Sequence, residues 1–294
     1  MGKTKSERPS ARRSPFHLAT GAMTWSKTMQ PHSAGDDHYF VSRSARAYGV
    51  FDGVSGSNGK YGTGAAEEAA NFMCFNAYAA AHKAAARRRP VDPAAIIIKA
   101  HKRLARLASV RGSTTALVAA LHWRSTKSAL LTVANLGDCG VLIVRPYVHP
   151  PPAPASGIDH GSTAASSSAS VSASALSSDP YSPAPSSSSS VKLVGFTEPM
   201  RHDSGMAHPH TLSATTRHID RKIDRTAFVV QPGDIVVFGT DGLFDNVDNN
   251  TIVSALTRHA TASPHFLAKL LARLALHGPK PDDITVLVGR VYEL

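Results

Sequence analysis

A chain of 294 residues with 42% hydrophobic content can bury one sizeable core, and once its low-complexity stretch is set aside it is too short for two catalytic domains. The net charge of +11 raises nucleic acid or an anionic membrane as partners. However, the basic residues fall in separate runs with no zinc-finger spacing and no aromatic RNA-binding string, which excludes a specific nucleic-acid reader.

The two cysteines, Cys74 and Cys139, cannot build a disulfide framework or a zinc site. No run of about 18 apolar residues is present to span a bilayer. Met1-Gly2-Lys3-Thr4-Lys5-Ser6 fits the pattern for lipidation of Gly2, and Lys3, Lys5, Arg8, Arg12 and Arg13 could add the basic second signal that one acyl chain needs. The same acid-poor start also fits a mitochondrial presequence or an unstructured tail. The expected location is therefore intracellular: cytoplasmic, associated with a membrane surface through the N-terminus, or mitochondrial.

Residues 1–22 read as a basic disordered tail. Residues 23–294 read as one domain, interrupted at 149–190 by a Ser/Ala/Pro-rich insertion too poor in apolar residues to offset its ordering entropy. Along the chain, 38–43 and 47–52 predict short strands, the second stopping abruptly at Asp52-Gly53. Segments 62–86 and 93–109 predict helices, with Glu67 and Glu68 early in the first and cations late in the second. Strands return at 114–121, 128–135 and 141–145.

Segments 227–231 and 234–238 flank Pro232-Gly233, a pair suited to a type II turn, and predict a hairpin. Helices at 250–259 and 264–277 and a last strand at 285–291 complete the chain. Strands in both halves with helices between them imply an α+β fold, two packed antiparallel sheets flanked by helices, an αββα sandwich.

Acidic turns recur at strand edges: Gly35-Asp36-Asp37, Phe51-Asp52-Gly53, Thr240-Asp241-Gly242 and Pro281-Asp282-Asp283. A single Asp-Gly pair is most often a turn. A set of them on rigid strand ends can converge in one mouth, and an all-oxygen donor set without His or Cys selects magnesium or manganese. Leu136-Gly137-Asp138-Cys139-Gly140 adds another aspartate, in what also reads as a simple hairpin turn.

In order, the strings Tyr48-Gly-Val-Phe-Asp-Gly-Val-Ser-Gly56, Gly112-Ser-Thr-Thr-Ala116, Ala134-Asn-Leu-Gly-Asp-Cys-Gly140, Thr240-Asp-Gly-Leu-Phe-Asp-Asn246 and Lys280-Pro-Asp-Asp-Ile-Thr-Val286 resemble the motifs of the metal-dependent Ser/Thr protein phosphatases of type 2C. The resemblance is strongest to the mitochondrial-type branch with an Asp-Gly-Val-x-Gly motif, and it spans nearly all of the chain outside the tail and the insertion. It implies a monomeric hydrolase that removes phosphate from phosphoserine and phosphothreonine in phosphoprotein substrates, using two Mg2+ or Mn2+ ions and an activated water.

Carried over by position, the resemblance places Asp52 between the metals and the Gly53 carbonyl on one of them, with Asp241 and Asp282 completing the coordination. Asp37 joins the set through metal-bound water. Asp36 and Asp138 take outlying or third-metal positions, and Asp52 and Asp241 carry the catalytic role.

Two departures stand out. Family members often have His after the Asp-Gly pair, where it can protonate the leaving alkoxide, but Val54 stands there; such a proton donor is typically worth about 10²–10⁴-fold in rate. The slot of an Arg that grips substrate phosphate holds His32, which lacks the bidentate fork. These departures support an alternative, a weak or inactive phosphatase-like binding or regulatory module.

Overall fold

The computed structural model describes residues 15–28, 35–107, 109–147, 190–200 and 209–294. In chain order the elements are strands β1 (Phe16–Trp25), β2 (His38–Ser42) and β3 (Ala47–Phe51), then helices α1 (Gly56–Tyr61), α2 (Ala65–Ala86) and α3 (Pro93–Leu104). Strands β4 (Ser113–Thr114), β5 (Ala116–Trp123), β6 (Ala129–Leu136), β7 (Gly140–Tyr147), β8 (Ser190–Phe196) and β9 (Leu212–Ser213) follow. The chain ends with α4 (Ile219–Lys222), β10 (Asp224–Val230), β11 (Ile235–Gly239), α5 (Asp241–Phe244), α6 (Asn249–Arg258), α7 (Pro264–Leu276) and β12 (Ile284–Glu293).

Local chemistry sets the ends of the longer helices. Asp92, Asp248 and Ser263 each present a side-chain oxygen to the exposed N–H groups of the first turn of α3, α6 and α7, and Pro93 and Pro264 occupy first helical positions. Each such cap is worth about 1 kcal/mol.

Two antiparallel five-stranded sheets form the centre, in the orders β1-β12-β11-β7-β8 and β10-β6-β5-β3-β2. Their facing sides enclose one apolar layer that includes Tyr48, Leu117, Leu131, Val141 and Phe238. A second layer, with Met73, Ile97 and Leu104, lies between α2, α3 and the outer face of the second sheet. A third, with Leu142, Val237, Leu256 and Leu271, lies between the first sheet and α5–α7. The αββα arrangement expected from the sequence is therefore the one adopted, because each sheet is apolar on both faces and each helix layer buries one of them.

Three expectations need correction. The domain begins before residue 23, since β1 pairs with β12 over its whole length, from Phe16 opposite Glu293 to Trp25 opposite Ile284. The residues around Pro232-Gly233 do form a turn, with Gly233 at φ 92° and the Asp234 N–H donating to the Gln231 carbonyl at 3.1 Å. They do not form a hairpin, because β10 pairs with β6 in one sheet while β11 lies between β12 and β7 in the other. β11 is buried throughout and needs partners on both sides, which the half-exposed edge strand β10 cannot supply.

The segment around Asp138 is likewise no hairpin: β6 and β7 belong to different sheets, and Gly137 at φ 121° lets the chain cross between them. Gly2, His32 and nearly all of the Ser/Ala/Pro-rich insertion lie outside the described residues. No helix among the described residues is long and apolar enough to cross a membrane.

Candidate metal centre

Both sheets deliver carboxylates to one edge of the sandwich. Asp52 follows β3, Asp138 sits where the chain passes from β6 to β7, and Asp241 follows β11 as the first residue of α5. One carboxylate oxygen from each lies within 4.8 Å of the others. Asp37, just before β2, and Asp282, just before β12, border this group. The first interacts electrostatically with Asp52 and Asp241, and the second with Asp241.

The scaffold around these groups is fixed by hydrogen bonds. The Asp52 carbonyl accepts from the Thr115 N–H and the Thr114 hydroxyl, each at 2.8 Å. The Thr240 hydroxyl donates to Asp37 Oδ2 at 2.8 Å and accepts from the Thr285 N–H at 3.1 Å, tying the ends of β11 and β12 to the start of β2. Gly53 packs so closely that a side-chain carbon there would come within 2.6 Å of the Asp36 carbonyl oxygen and 2.8 Å of the Ala66 carbonyl oxygen. Only glycine lets the chain turn past Asp52 at that distance.

Burial, and after it the close packing of like charges, raises the proton affinity of the cluster. Burial, followed by repulsion from Asp37 and Asp241, holds the Asp52 carboxyl well above the usual carboxylate range. Burial does the same for Asp37 against the opposing bond from Thr240. Burial and the neighbouring Asp241 push Asp138 up to about 7, and burial with Asp241 raises Asp282. Among the described residues, Asp37 Oδ1 and Asp138 Oδ1 are buried without a hydrogen-bond partner. Buried, unpartnered carboxylate oxygens in an all-oxygen set are what a hard divalent cation neutralises, so these residues fit magnesium or manganese.

Sequence reasoning missed two cations here. Lys280 Nζ lies 2.6 Å from Asp241 Oδ2, 2.9 Å from Asp245 Oδ2 and 3.2 Å from Asp282 Oδ2. Burial alone would lower its pKa, but the bonds to Asp241 and Asp245 outweigh burial and raise it. Lys27 Nζ contacts Asp283 at 2.9 Å and Asp36 at 3.3 Å. Asp36 also accepts from Asn58 at 3.1 Å and from the Ser55 hydroxyl at 3.3 Å, so its carboxylate is engaged outside the Asp52–Asp138–Asp241 group. Asp138, expected at an outlying or third-metal position, is one of the three that converge.

The signal for Asp283 was its place beside Asp282 in the sequence. Lys280 opens the Lys280–Val286 string but carried no assigned role there, and Lys27 gave no signal, because a lysine reads as solvated surface. Cys139 is buried beside Thr115, and burial, then the charge of Asp52, pushes its thiol up, so it is no activated thiolate.

Comparison with known proteins follows the same lines. A family profile described as Stage II sporulation protein E (SpoIIE) matches residues 211–292. The chain is 26% identical to a probable protein phosphatase 2C 55 of Arabidopsis thaliana over 94% of its own length and 52% of that protein's. It is 28% identical to the human protein phosphatase PTC7 homolog over 88% of its length and 80% of the relative's. The chain thus spans about half the length of the plant relative and most of the human one.

Among solved structures, the photosystem II phosphatase PBCP superposes with a TM-score of 0.65 at 20% identity, covering 94% of this chain and all of that one. The catalytic domain of the serine/threonine protein phosphatase PstP in complex with two manganese ions superposes with a TM-score of 0.59 at 16% identity, over 95% of this chain and all of that one. With the ordered aspartate motifs already present in the sequence and the two-sheet sandwich that brings them together, the likeness in sequence is to protein phosphatases of type 2C and of the PTC7 group, and the fold is that of the solved phosphatases.

Proposed function

We propose that this chain hydrolyses phosphoserine and phosphothreonine in proteins with the help of two Mg2+ or Mn2+ ions. The single observation that carries the reading is the convergence of Asp52, Asp138 and Asp241 to within 4.8 Å on a rigid two-sheet scaffold. The manganese in the PstP structure and the phosphatase names of the relatives support it.

Asp52, Asp138 and Asp241 would hold the ions, with Asp37, Asp282 and the Gly53 carbonyl around them. The chemistry such ions supply when bound is activation of water and neutralisation of phosphoryl charge. The protein's own share is positional: Thr240 orients Asp37, Gly53 admits close approach, and the Thr114 and Thr115 contacts hold Asp52 at the mouth. Substrates are phosphoproteins, and His32 is assigned to the substrate phosphate. Lipidation of Gly2, or a presequence in its place, would set the location at a membrane surface or in mitochondria. Mass spectrometry of the native N-terminus distinguishes the two.

The direct test is hydrolysis of an aryl phosphate with manganese, with chelator, and after Asp52→Asn. Activity abolished by both treatments is expected, whereas turnover that survives chelation would rule the reading out.

A second reading, a phosphatase-like binding module, draws on Val54, which cannot transfer a proton, and on Lys280, which already neutralises part of the acidic mouth. Manganese binding without turnover would select it.

A further inference from the structure

Helices α2 and α3 lie side by side on the outside of the second sheet, and along the C-terminal half of α2 a cleft of about 350 Å³ opens between them. Ala80 and Ala84 line the α2 wall, and their short side chains leave the space that larger residues would fill. Lys83, Arg87 and Arg89 stand on that side. Lys99, Lys102, Arg103 and Arg106 line the other, and their spacing of i, i+3, i+4 and i+7 puts all four on one face of α3 and the turn that follows it.

No lining residue is acidic, and among the described residues none of these seven cations forms an ion pair with an Asp or Glu. Like charges at helical spacing repel, so the arrangement is unfavourable without a counter-anion. The helix dipole accounts for cations in the last turn of each helix, Lys83 in α2 and Lys102 and Arg103 in α3, but not for Lys99 or for two cationic rows that face each other across one cleft.

Two details indicate a built site. Arg103 Nη1 donates to Asn76 Oδ1 at 2.7 Å, and Asn76, only 6% exposed, is itself held by donating to the Phe72 carbonyl at 2.8 Å. One guanidinium is thereby fixed at the cleft wall, which lowers the ordering entropy of binding. At the end of α2, Arg88 adopts a left-handed conformation at φ 52° where glycine is usual, and the Arg89 N–H closes the helix onto the Ala84 carbonyl at 3.1 Å. That closure turns the chain so that Arg89 borders the cleft.

We propose that this cleft binds a compact polyphosphorylated anion, with two or more phosphoryl groups on a small scaffold, at a site separate from the metal centre. Guanidinium forks and ammonium groups on facing walls match clustered phosphates, and a concave slot between helices suits a small ligand better than a flat bilayer. The site is remote from the acidic edge: α2 starts beside Gly53, and Lys83 lies about 25 Å further along it at 1.5 Å per residue. The ligand is either a soluble polyphosphorylated compound or the headgroup of a polyphosphorylated lipid.

The test is calorimetric titration of the metal-free full chain with sodium tripolyphosphate at near-physiological salt, with sodium sulfate at matched ionic strength as reference. Without metal, the carboxylate edge repels the probe, so the outcome does not depend on the phosphatase reading. Saturable binding is expected, weakened about tenfold or more by Lys102→Glu with Arg106→Glu. It should be unchanged by the charge-matched pair Arg258→Glu with Lys269→Glu, and Lys102→Gln with Arg106→Gln replaces the reversal if that variant does not fold. Tripolyphosphate binding no tighter than sulfate, or lost equally in both charge-reversal pairs, overturns the proposal.

Phosphatidylcholine vesicles carrying a bisphosphorylated phosphoinositide distinguish the sources. Retention that tripolyphosphate displaces assigns the lipid headgroup, and no retention alongside tripolyphosphate binding assigns the soluble form. Equal retention on phosphatidylserine vesicles of the same charge, undisplaced by tripolyphosphate, overturns a compact ligand in favour of a membrane surface.

Discussion

Lys280 Nζ rests 2.6 Å from Asp241 Oδ2, so the carboxylate that follows β11 has a cation from its own chain beside it. The lysine is held there from behind, because its N–H donates to Asn246 Oδ1 and its carbonyl accepts from Asn246 Nδ2, each at 2.8 Å. Asn246 in turn bonds the Gly242 carbonyl at 3.0 Å. The contact is thus part of the same local framework that places Asp241, and it partly neutralises a cluster that would otherwise repel itself.

Replacing this lysine separates its two effects. Lys280→Met is expected to lower the melting temperature of the metal-free protein, because Asp241, Asp245 and Asp282 lose their shared cation. It is also expected to tighten manganese binding about three- to tenfold, because the lysine and the metal compete for the same oxygens. Melting curves in chelator and calorimetric titration with manganese check both effects. Unchanged manganese affinity would mean that the lysine does not compete.

The second prediction concerns Asp138 and pH. Its carboxyl titrates at about 7 in the fold, above the ordinary carboxylate range, so the native state binds its proton more tightly than the unfolded chain does. Stability of the metal-free protein from this group is therefore greatest below the ordinary value and falls as pH rises through 7. Asp138→Asn is expected to raise the metal-free melting temperature at pH 8 and to flatten the decline that this group causes between about pH 4 and 7. With manganese bound, the order of wild type and variant should reverse. A wild type and variant with parallel pH dependence in chelator would refute the account.

Arg145 and Asp234 provide a stability test away from the metal edge. Asp234 is fully buried and takes a two-pronged contact from the guanidinium, Nε at 2.7 Å and Nη2 at 2.8 Å, while also accepting the Gln231 N–H at 2.8 Å. Arg145→Ala strands a buried carboxylate and should destabilise by about 3 kcal/mol, whereas removing both charged groups should cost less than the sum of the single changes. Urea denaturation of the two single variants and the double variant measures the coupling. Activity per folded molecule should stay at the wild-type level.

The sequence carried the convergence at Asp52 and Asp241 because each aspartate ends an apolar strand at a glycine-containing turn, a local pattern with a local cause. Asp138 looked peripheral for the opposite reason. Its turn joins two strands of ordinary hairpin spacing, and only the assignment of β6 and β7 to different sheets shows that the turn crosses the sandwich at the site. Pairing partners are a property of the whole sheet, which is also why β10 and β11 read as neighbours. β1 was missed because its alternation is blurred, with its residues beyond Leu18 only partly covered or exposed, and its place was revealed by β12. The roles of Lys27 and Lys280 could not be read, although Lys280 stands in a quoted motif, because a lysine's role depends on which carboxylates fold up against it.

Val54 sets the last prediction. It follows Gly53 directly, half-buried, with its N–H donating to the Ser113 carbonyl at 2.9 Å, and it has no exchangeable side-chain proton. If the chain hydrolyses phosphate esters as proposed, departure of a Ser or Thr alkoxide goes without help from this position, while departure of a stable aryloxide needs none. The wild-type rate should therefore depend steeply on leaving-group pKa. Val54→His should raise kcat on a phosphoserine peptide by about tenfold or more, within the usual range for a positioned proton donor, and should change aryl phosphate hydrolysis little. The enhanced peptide rate should fall at high pH as the histidine loses its proton. Equal gains on both substrates, or a gain insensitive to pH, would show that the histidine acts other than as a proton donor to the leaving oxygen.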